Sequence, residues 1–269
     1  MNVVQLGAGP PVVVIPGIQG RWEWMRPGVD ALARQCRVVT FSLADEPTSG
    51  GHFDHTAGFD SYVEQVREAL DLAGLEQAAI CGVSYGGLIA SAFAARYPNR
   101  VSSLILVSPI PPSWTPNVCI RFYLRAPRLL SPLFLINSLR LYPEIAAAVP
   151  GRIAALRAAL RHAWNVLTHM HSPSRMARRV HLLDSMSRCA ELREMKLPTL
   201  IVTGAESLER IVPVRASREY LGMWPHARWE TLERTGHLGI ITRPVEFAAT
   251  LVPFIQTTSR EPDHRWRVG

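Results

Sequence analysis

Short apolar runs alternate with amphipathic stretches along residues 1–107. Val12-Val13-Val14-Ile15 is a β-branched run with no polar break, the pattern of a strand buried on both faces. Arg37–Leu43, the short apolar run that opens at Ala78-Ala79-Ile80-Cys81, and Val101–Val107 read as further strands, and Asn2–Leu6 reads as a short edge strand. Between them the period changes. Trp22–Arg34 carries Trp24, Val29 and Leu32 on one helical side, and Asp60–Leu75 carries Val63, Val66, Leu70 and Leu72. An Ala-rich helix follows Ser84 and stops at Pro98-Asn99-Arg100. Ala44–Phe59 is a polar loop. Strand and helix alternating in this way predict a mostly parallel sheet flanked by helices, an α/β fold.

From Pro109 the rhythm breaks. Pro109, Pro111, Pro112 and Pro116 form an exit loop, and the Leu-, Ala- and Arg-rich stretch from Val118 to Met195 reads as several helices without a strand. Pro198–Thr203 resumes the strand pattern, followed by a helix over Val214–Met223, a strand over Arg228–Leu232 and a helix over Pro244–Ile255. The expected organisation is one core, 1–112 and 197–256, with a helical cap inserted at 113–196 and a polar tail at 257–269. No repeat is present.

Composition narrows the classes. A chain of 269 residues that is 48% hydrophobic can build a sizeable core. The net charge of +7 comes from scattered arginines, with Lys196 the only lysine, so no nucleic-acid partner is expected. The four cysteines, Cys36, Cys81, Cys119 and Cys189, show no paired spacing, which fits a reducing compartment. No signal segment and no membrane-length apolar stretch is evident, so a cytoplasmic protein without a membrane partner is expected. His169-x-His171 lacks further ligands, and no metal and no cofactor are expected. The sequence sets no oligomeric state.

The chemistry gathers around Gly82-Val83-Ser84-Tyr85-Gly86, a G-x-S-x-G between an apolar run and a helix. This pattern makes a tight strand-to-helix turn that presents a serine near a helix N-terminus, where free N–H groups can stabilise an oxyanion. A serine hydroxyl needs a base, and the base needs an orienting acid. His237 lies in Thr235-Gly236-His237-Leu238-Gly239, just after a strand and flanked by glycines. The acid belongs after the Leu200–Gly204 run, where Glu206 and Glu209 compete; the offset to Pro213 favours Glu209, and counting from Gly204 points to Glu206. The amide of Tyr85 and, by position, that of Ile18 are the candidate oxyanion donors.

Ser84, a later acid and His237, in that order on this strand rhythm, resemble an α/β-hydrolase, and more narrowly its capped esterase, C–C hydrolase and haloperoxidase-like relatives. Leu6–Gly17 is similar to the family's first core segment, Gly82–Gly87 to its nucleophile elbow, Glu209–Pro213 to its acid loop and Gly236-His237 to its histidine loop. The chain departs from the family in three places. Pro16-Gly17 stands where His-Gly is common, the acid loop is long and offers Glu, and with so short an N-terminus the usual first strand is expected to be missing. The resemblance implies a serine hydrolase acting on a small-molecule ester or related carbonyl substrate through an acyl-enzyme. A C–C hydrolase or perhydrolase on the same residues, or a hydrolase-like small-ligand receptor without turnover, is the alternative. Trp22, Trp24 and Trp114, with Tyr123 and Trp164, are candidate pocket residues. Arg175, Arg178 and Arg179 offer either an anion-attracting patch or a solvated cap face.

Overall fold

The computed structural model describes residues 1–168, 172–183 and 192–260. The tail 261–269, His169, His171 and Cys189 lie outside the described residues. Seven strands form one sheet: β1 (Val4–Leu6), β2 (Pro11–Ile15), β3 (Arg37–Thr40), β4 (Ala78–Val83), β5 (Val101–Val107), β6 (Thr199–Gly204) and β7 (Arg228–Leu232). Their order is β1-β3-β2-β4-β5-β6-β7, and every pair is parallel except β1 with β3. The β-branched runs occupy the centre because both faces there are covered. Val12, Val13, Val14 and Ile15 are fully buried, alternating between two apolar clusters.

The helices α1 (Arg26–Leu32), α2 (Asp60–Leu72) and α3 (Tyr85–Arg96) connect the first parallel strands. Helix α1 packs Val29 and Leu32 beneath one face, while α2 and α3 pack Val63, Leu70, Ile89 and Phe93 on the other. The chain reverses direction across the sheet between β2 and β4. The loops leaving their C-terminal ends therefore part, opening a crevice of the kind where open α/β sheets bind ligands.

Between β5 and β6 the described chain is helical: α4 (Val118–Arg125), α5 (Ser131–Asn137), α6 (Tyr142–Ala148), α7 (Arg152–Thr168) and α8 (Pro173–Leu182). Helix α8 starts at a side-chain cap, with Ser172 Oγ accepting from the Arg175 amide at 3.4 Å. No described helix is long and apolar enough to cross a membrane.

Several elements differ in detail from the pattern. Trp22–Met25 is a 3₁₀ turn leading into α1. The Val214–Met223 stretch is two short helices, α9 (Val214–Ser217) and α10 (Glu219–Met223). A one-turn helix, α11 (Gly239–Thr242), follows the histidine loop. The last helix, α12 (Pro244–Arg260), continues past Ile255 in spite of Pro253. Its extra turn is tied down: Thr258 Oγ1 donates to Ser103 Oγ of β5 at 3.0 Å.

The glycines make a direct test of this packing. A Cβ on Gly86 would lie 2.5 Å from the Ile15 carbonyl oxygen and 2.6 Å from that of Pro16, both backbone atoms that cannot yield. Gly222, in α10, has open space around it. Gly86→Ala is therefore expected to cost about 2 kcal/mol or more in urea unfolding. Gly222→Ala should gain about 0.5–1 kcal/mol through helix propensity. An unchanged midpoint in Gly86→Ala would contradict the close approach.

Candidate active site

Helix α3 begins one residue after β4 ends, leaving Ser84 alone in the turn at φ 54°, ψ −114°. A non-glycine residue there stores about 1–3 kcal/mol of strain and persists only where its surroundings hold it. Here the Ser84 amide donates to the Val107 carbonyl at 2.8 Å, and the Ser84 carbonyl accepts from Gly87 at 2.9 Å. Gly82 and Gly86 permit the turn, because a Cβ on Gly82 would meet the Gly86 carbonyl oxygen at 2.2 Å. Tyr85 opens α3, so its N–H has no partner within the helix.

The loop after β2 lies beside this turn. Ile15 pairs with Gly82, which brings Gly17 level with Ser84; a Cβ on Gly17 would lie 3.5 Å from Ser84 Cβ. The Gly20 amide donates to the Gly17 carbonyl at 2.9 Å and closes the loop. Among the described backbone hydrogen bonds of turns and loops, neither the Ile18 nor the Tyr85 N–H is a donor.

The loops after β6 and β7 are pressed together through two glycines. A Cβ on Gly204 would lie 2.4 Å from Gly236 Cα, and one on Gly236 would lie 2.9 Å from Glu209 Cα. This contact seats His237 on Glu209. Its Nδ1 is 3.3 Å from both carboxylate oxygens. Glu209 is held from behind, accepting from the Ile211 amide at 2.8 Å and the Val212 amide at 3.1 Å. Glu206, the competing carboxylate, is exposed on the same loop.

The electrostatics favour an ionised acid and a basic imidazole. Burial raises the Glu209 carboxyl, but His237 and the two amides outweigh it and hold its pKa below the usual value. Burial lowers the His237 pKa, but Glu209, with Glu144 adding to it, outweighs burial and Arg140, so the imidazole is held above its usual value. An ionised Glu209 keeps the ring proton on Nδ1 and leaves Nε2 as the acceptor. The described hydrogen bonds include none between Ser84 Oγ and the His237 ring. Such contacts are often long in unliganded sites and tighten around substrate.

One residue escaped the sequence reading and another was misread. Glu144 of α6 is fully buried and reaches the histidine loop, where its Oε1 accepts from the Leu238 amide and from Thr235 Oγ1. Burial raises its pKa against the pull of the Leu238 amide and His237. In the sequence it reads as an ordinary acid in a helix first turn. Arg179 of α8 is neither a solvated face nor an anion attractant. It is fully buried against Asp45 and Glu46, while Arg178 is exposed and Arg175 pairs with Glu46 at 3.1 Å.

The candidate pocket aromatics scatter. Trp22 packs against the apolar cluster of α1 and α12, Trp114 against the cluster of α2 and α3, and Trp24 is half-buried. Trp164 is 66% exposed on α7, which removes it from a pocket between insertion and core. Of this set, Trp114 alone packs on the cluster that also includes Ile18 and Tyr85.

Two outcomes follow for the loop carrying His237. Its ring should titrate by NMR above the ordinary ~6.5, and Glu209→Gln should bring the midpoint down to or below that value. Glu144→Ala strands the buried Leu238 amide and should cost about 1–3 kcal/mol in chemical unfolding, with Glu144→Gln recovering most of the loss. A His237 midpoint indifferent to Glu209→Gln would break the pairing.

Comparison with known proteins bears on the fold. The pattern of the alpha/beta hydrolase fold family matches residues 10–244. A protein of Pseudomonas savastanoi pv. phaseolicola named “Putative carbamate hydrolase RutD” is 26% identical over 254 residues, 91% of this chain and 93% of the relative. The structure named “Putative non-heme bromoperoxidase BpoC”, from Mycobacterium tuberculosis H37Rv, superposes with a TM-score of 0.76 at 20% identity, covering 96% of each chain. The esterase EaEST from Exiguobacterium antarcticum superposes at 0.72 and 18% identity, covering 94% of each chain. With the family pattern spanning most of the chain, and the sheet order and elbow in place, the chain belongs to the alpha/beta hydrolase fold family.

Proposed function

We propose that the chain is a serine hydrolase that cleaves a small-molecule carboxylic ester through Ser84, His237 and Glu209. The observation that carries this reading is the buried Glu209 on His237 Nδ1, at the same rim of the sheet as a serine in strained backbone. A carboxylate bonded to Nδ1 and shielded from water orients an imidazole and stabilises its protonated form.

In this mechanism His237 Nε2 takes the Ser84 proton as Oγ attacks the ester carbonyl. The carbonyl π electrons move onto oxygen, and the amides of Ile18 and Tyr85 receive the resulting oxyanion. The oxyanion collapses, the alcohol leaves with the proton carried by His237, and Ser84 keeps the acyl group. A water deprotonated by His237 then attacks the acyl-enzyme, and collapse releases the acid and restores the Ser84 hydroxyl. Pro16 offers no N–H and no imidazole, so support for the loop must come from elsewhere.

A carbamate is the second reading, favoured by the several relatives named as putative carbamate hydrolases. It uses the same residues, because the scissile bond again joins an acyl carbon to a heteroatom. The two readings separate by rate: p-nitrophenyl acetate and a p-nitrophenyl carbamate compared under one set of conditions show which acyl group turns over.

The reading is tested with p-nitrophenyl esters of increasing chain length and a fluorophosphonate probe. Ser84→Ala should abolish labelling, and Glu209→Gln should lower kcat by about 10⁴-fold. Glu206→Gln should leave kcat unchanged. The base must be neutral to act, so kcat/KM should rise with pH through a midpoint above ~6.5. Labelling that survives Ser84→Ala, or a loss in Glu206→Gln matching that in Glu209→Gln, would refute the assignment.

A further inference from the structure

Away from Ser84, His237 and Glu209, a cluster of buried charges joins α8 to the segment after β3. Arg179 of α8 is fully buried. Its Nη2 lies 2.6 Å from Asp45 Oδ1 and 2.6 Å from Glu46 Oε1, and both carboxylates are 1% exposed. Its Nη1 donates to the Ile18 carbonyl at 2.7 Å. Tyr85 Oη donates to the Arg179 carbonyl at 3.2 Å. One residue thus touches both candidate oxyanion donors, Ile18 through its side chain and Tyr85 through its backbone.

The contact with the loop has a direction. The Gly17–Ile18 peptide carries the Ile18 N–H at one end and the Gly17 carbonyl at the other, and that carbonyl accepts from the Gly20 amide. Gly20 sits at φ +78°, and a Cβ there would lie 2.3 Å from Arg179 Nη2. The guanidinium therefore packs on Gly20 and holds the carbonyl of Ile18. These two points hold the Ile18–Gln19 peptide and Gly20, and the Gly20 amide in turn holds the carbonyl of the peptide that carries the Ile18 N–H. Arginine suits the task, since its planar fork can serve two carboxylates and a carbonyl at once, which a lysine ammonium cannot do in this geometry.

We propose that Arg179 is the positioning residue of the oxyanion hole, fixing the Ile18 amide from the insertion and so supplying the support that Pro16 cannot. This rests on the serine hydrolase reading. It also means that the hole is complete only while α8 is seated on Asp45 and Glu46.

The test compares Arg179→Lys with the neutral triple variant Arg179→Met/Asp45→Asn/Glu46→Gln. The triple variant removes the hold on Ile18 without stranding a buried charge. Each is checked by circular dichroism and thermal melting, then assayed with p-nitrophenyl acetate and with a trifluoromethyl ketone that forms a tetrahedral oxyanion adduct. Loss of oxyanion support is expected to lower kcat by about 10²-fold with KM within about threefold, the scale of one lost donor. Affinity for the trifluoromethyl ketone should fall with kcat, and the pH midpoint of kcat/KM should stay in place. Tyr85→Phe, which removes only the tie to the Arg179 carbonyl, should lower kcat by a smaller factor in the same direction. If Arg179→Lys does not fold, the triple variant decides. Folded variants that keep kcat, or that lose it only in step with a rise in KM, would overturn the positioning role. Wild-type protein that neither hydrolyses esters nor takes the fluorophosphonate would instead overturn the hydrolase reading.

Discussion

The contact on which the rest of this structure depends lies between backbones. Gly86 stands so close to the carbonyls of Ile15 and Pro16 that no side chain fits between them. The turn holding Ser84 and the loop leaving β2 are consequently one packed unit. Ser84 stays at φ 54° because its amide and carbonyl are both bonded to neighbours that cannot move independently. A similar device recurs across the rim, where Gly204 meets Gly236 and Gly236 meets Glu209. Main-chain contacts are short and stiff, with no rotamers to lose, so positions set in this way are less sensitive to side-chain disorder than positions set by long polar side chains.

Side chains from the insertion then act at both ends of the rim. Arg179 reaches the loop after β2, and Glu144 reaches the loop after β7. Both are fully buried and polar, which makes them different in kind from the surface pairs such as Arg26 with Asp30. An exposed pair contributes about 0–1 kcal/mol, whereas removing one partner of a buried ion pair such as Arg179 with Asp45 costs about 3–5 kcal/mol because the other is left charged and dry. Alongside apolar packing, the helices between β5 and β6 thus meet the sheet's loops through buried polar contacts that fail abruptly, and these fall on the segments flanking the crevice.

The core was legible because its signals are local. A β-branched run buried on both faces announces itself within four or five residues, and β5 and β7 begin and end where the pattern puts them. The elbow was legible for the same reason, since its glycines and serine lie within one pentad. The offset to Pro213 favoured Glu209 over Glu206, but a count from Gly204 opposed it, and geometry separates the two. They are three residues apart, and it is the contact of Gly236 with Leu208 and Glu209 that brings one of them to His237. Arg179 was opaque in principle. Its partners lie 133 and 134 residues away, and a basic residue in an amphipathic helix reads as surface until the fold buries it. The end of α12 was misjudged because a polar Thr258 looks like tail until Ser103 is placed opposite it.

Asp45 and Glu46 show why the insertion and the loop after β2 belong to one equilibrium. Two adjacent carboxylates buried to 1% repel each other and lose their hydration, so this conformation of the chain is costly unless a cation sits between them. Arg179 is that cation, and Arg175 adds a second contact to Glu46. The same segment is tied back to the crevice, since the Leu43 amide donates to the Gly20 carbonyl at 2.7 Å. If α8 leaves, Asp45 and Glu46 must rehydrate, and the strain passes through Leu43 to Gly20 and Ile18. If the loop is disordered, Arg179 loses an acceptor and α8 docks less tightly. Coupling of this kind is reciprocal by necessity: the docked α8 and the ordered loop favour each other by one and the same coupling free energy.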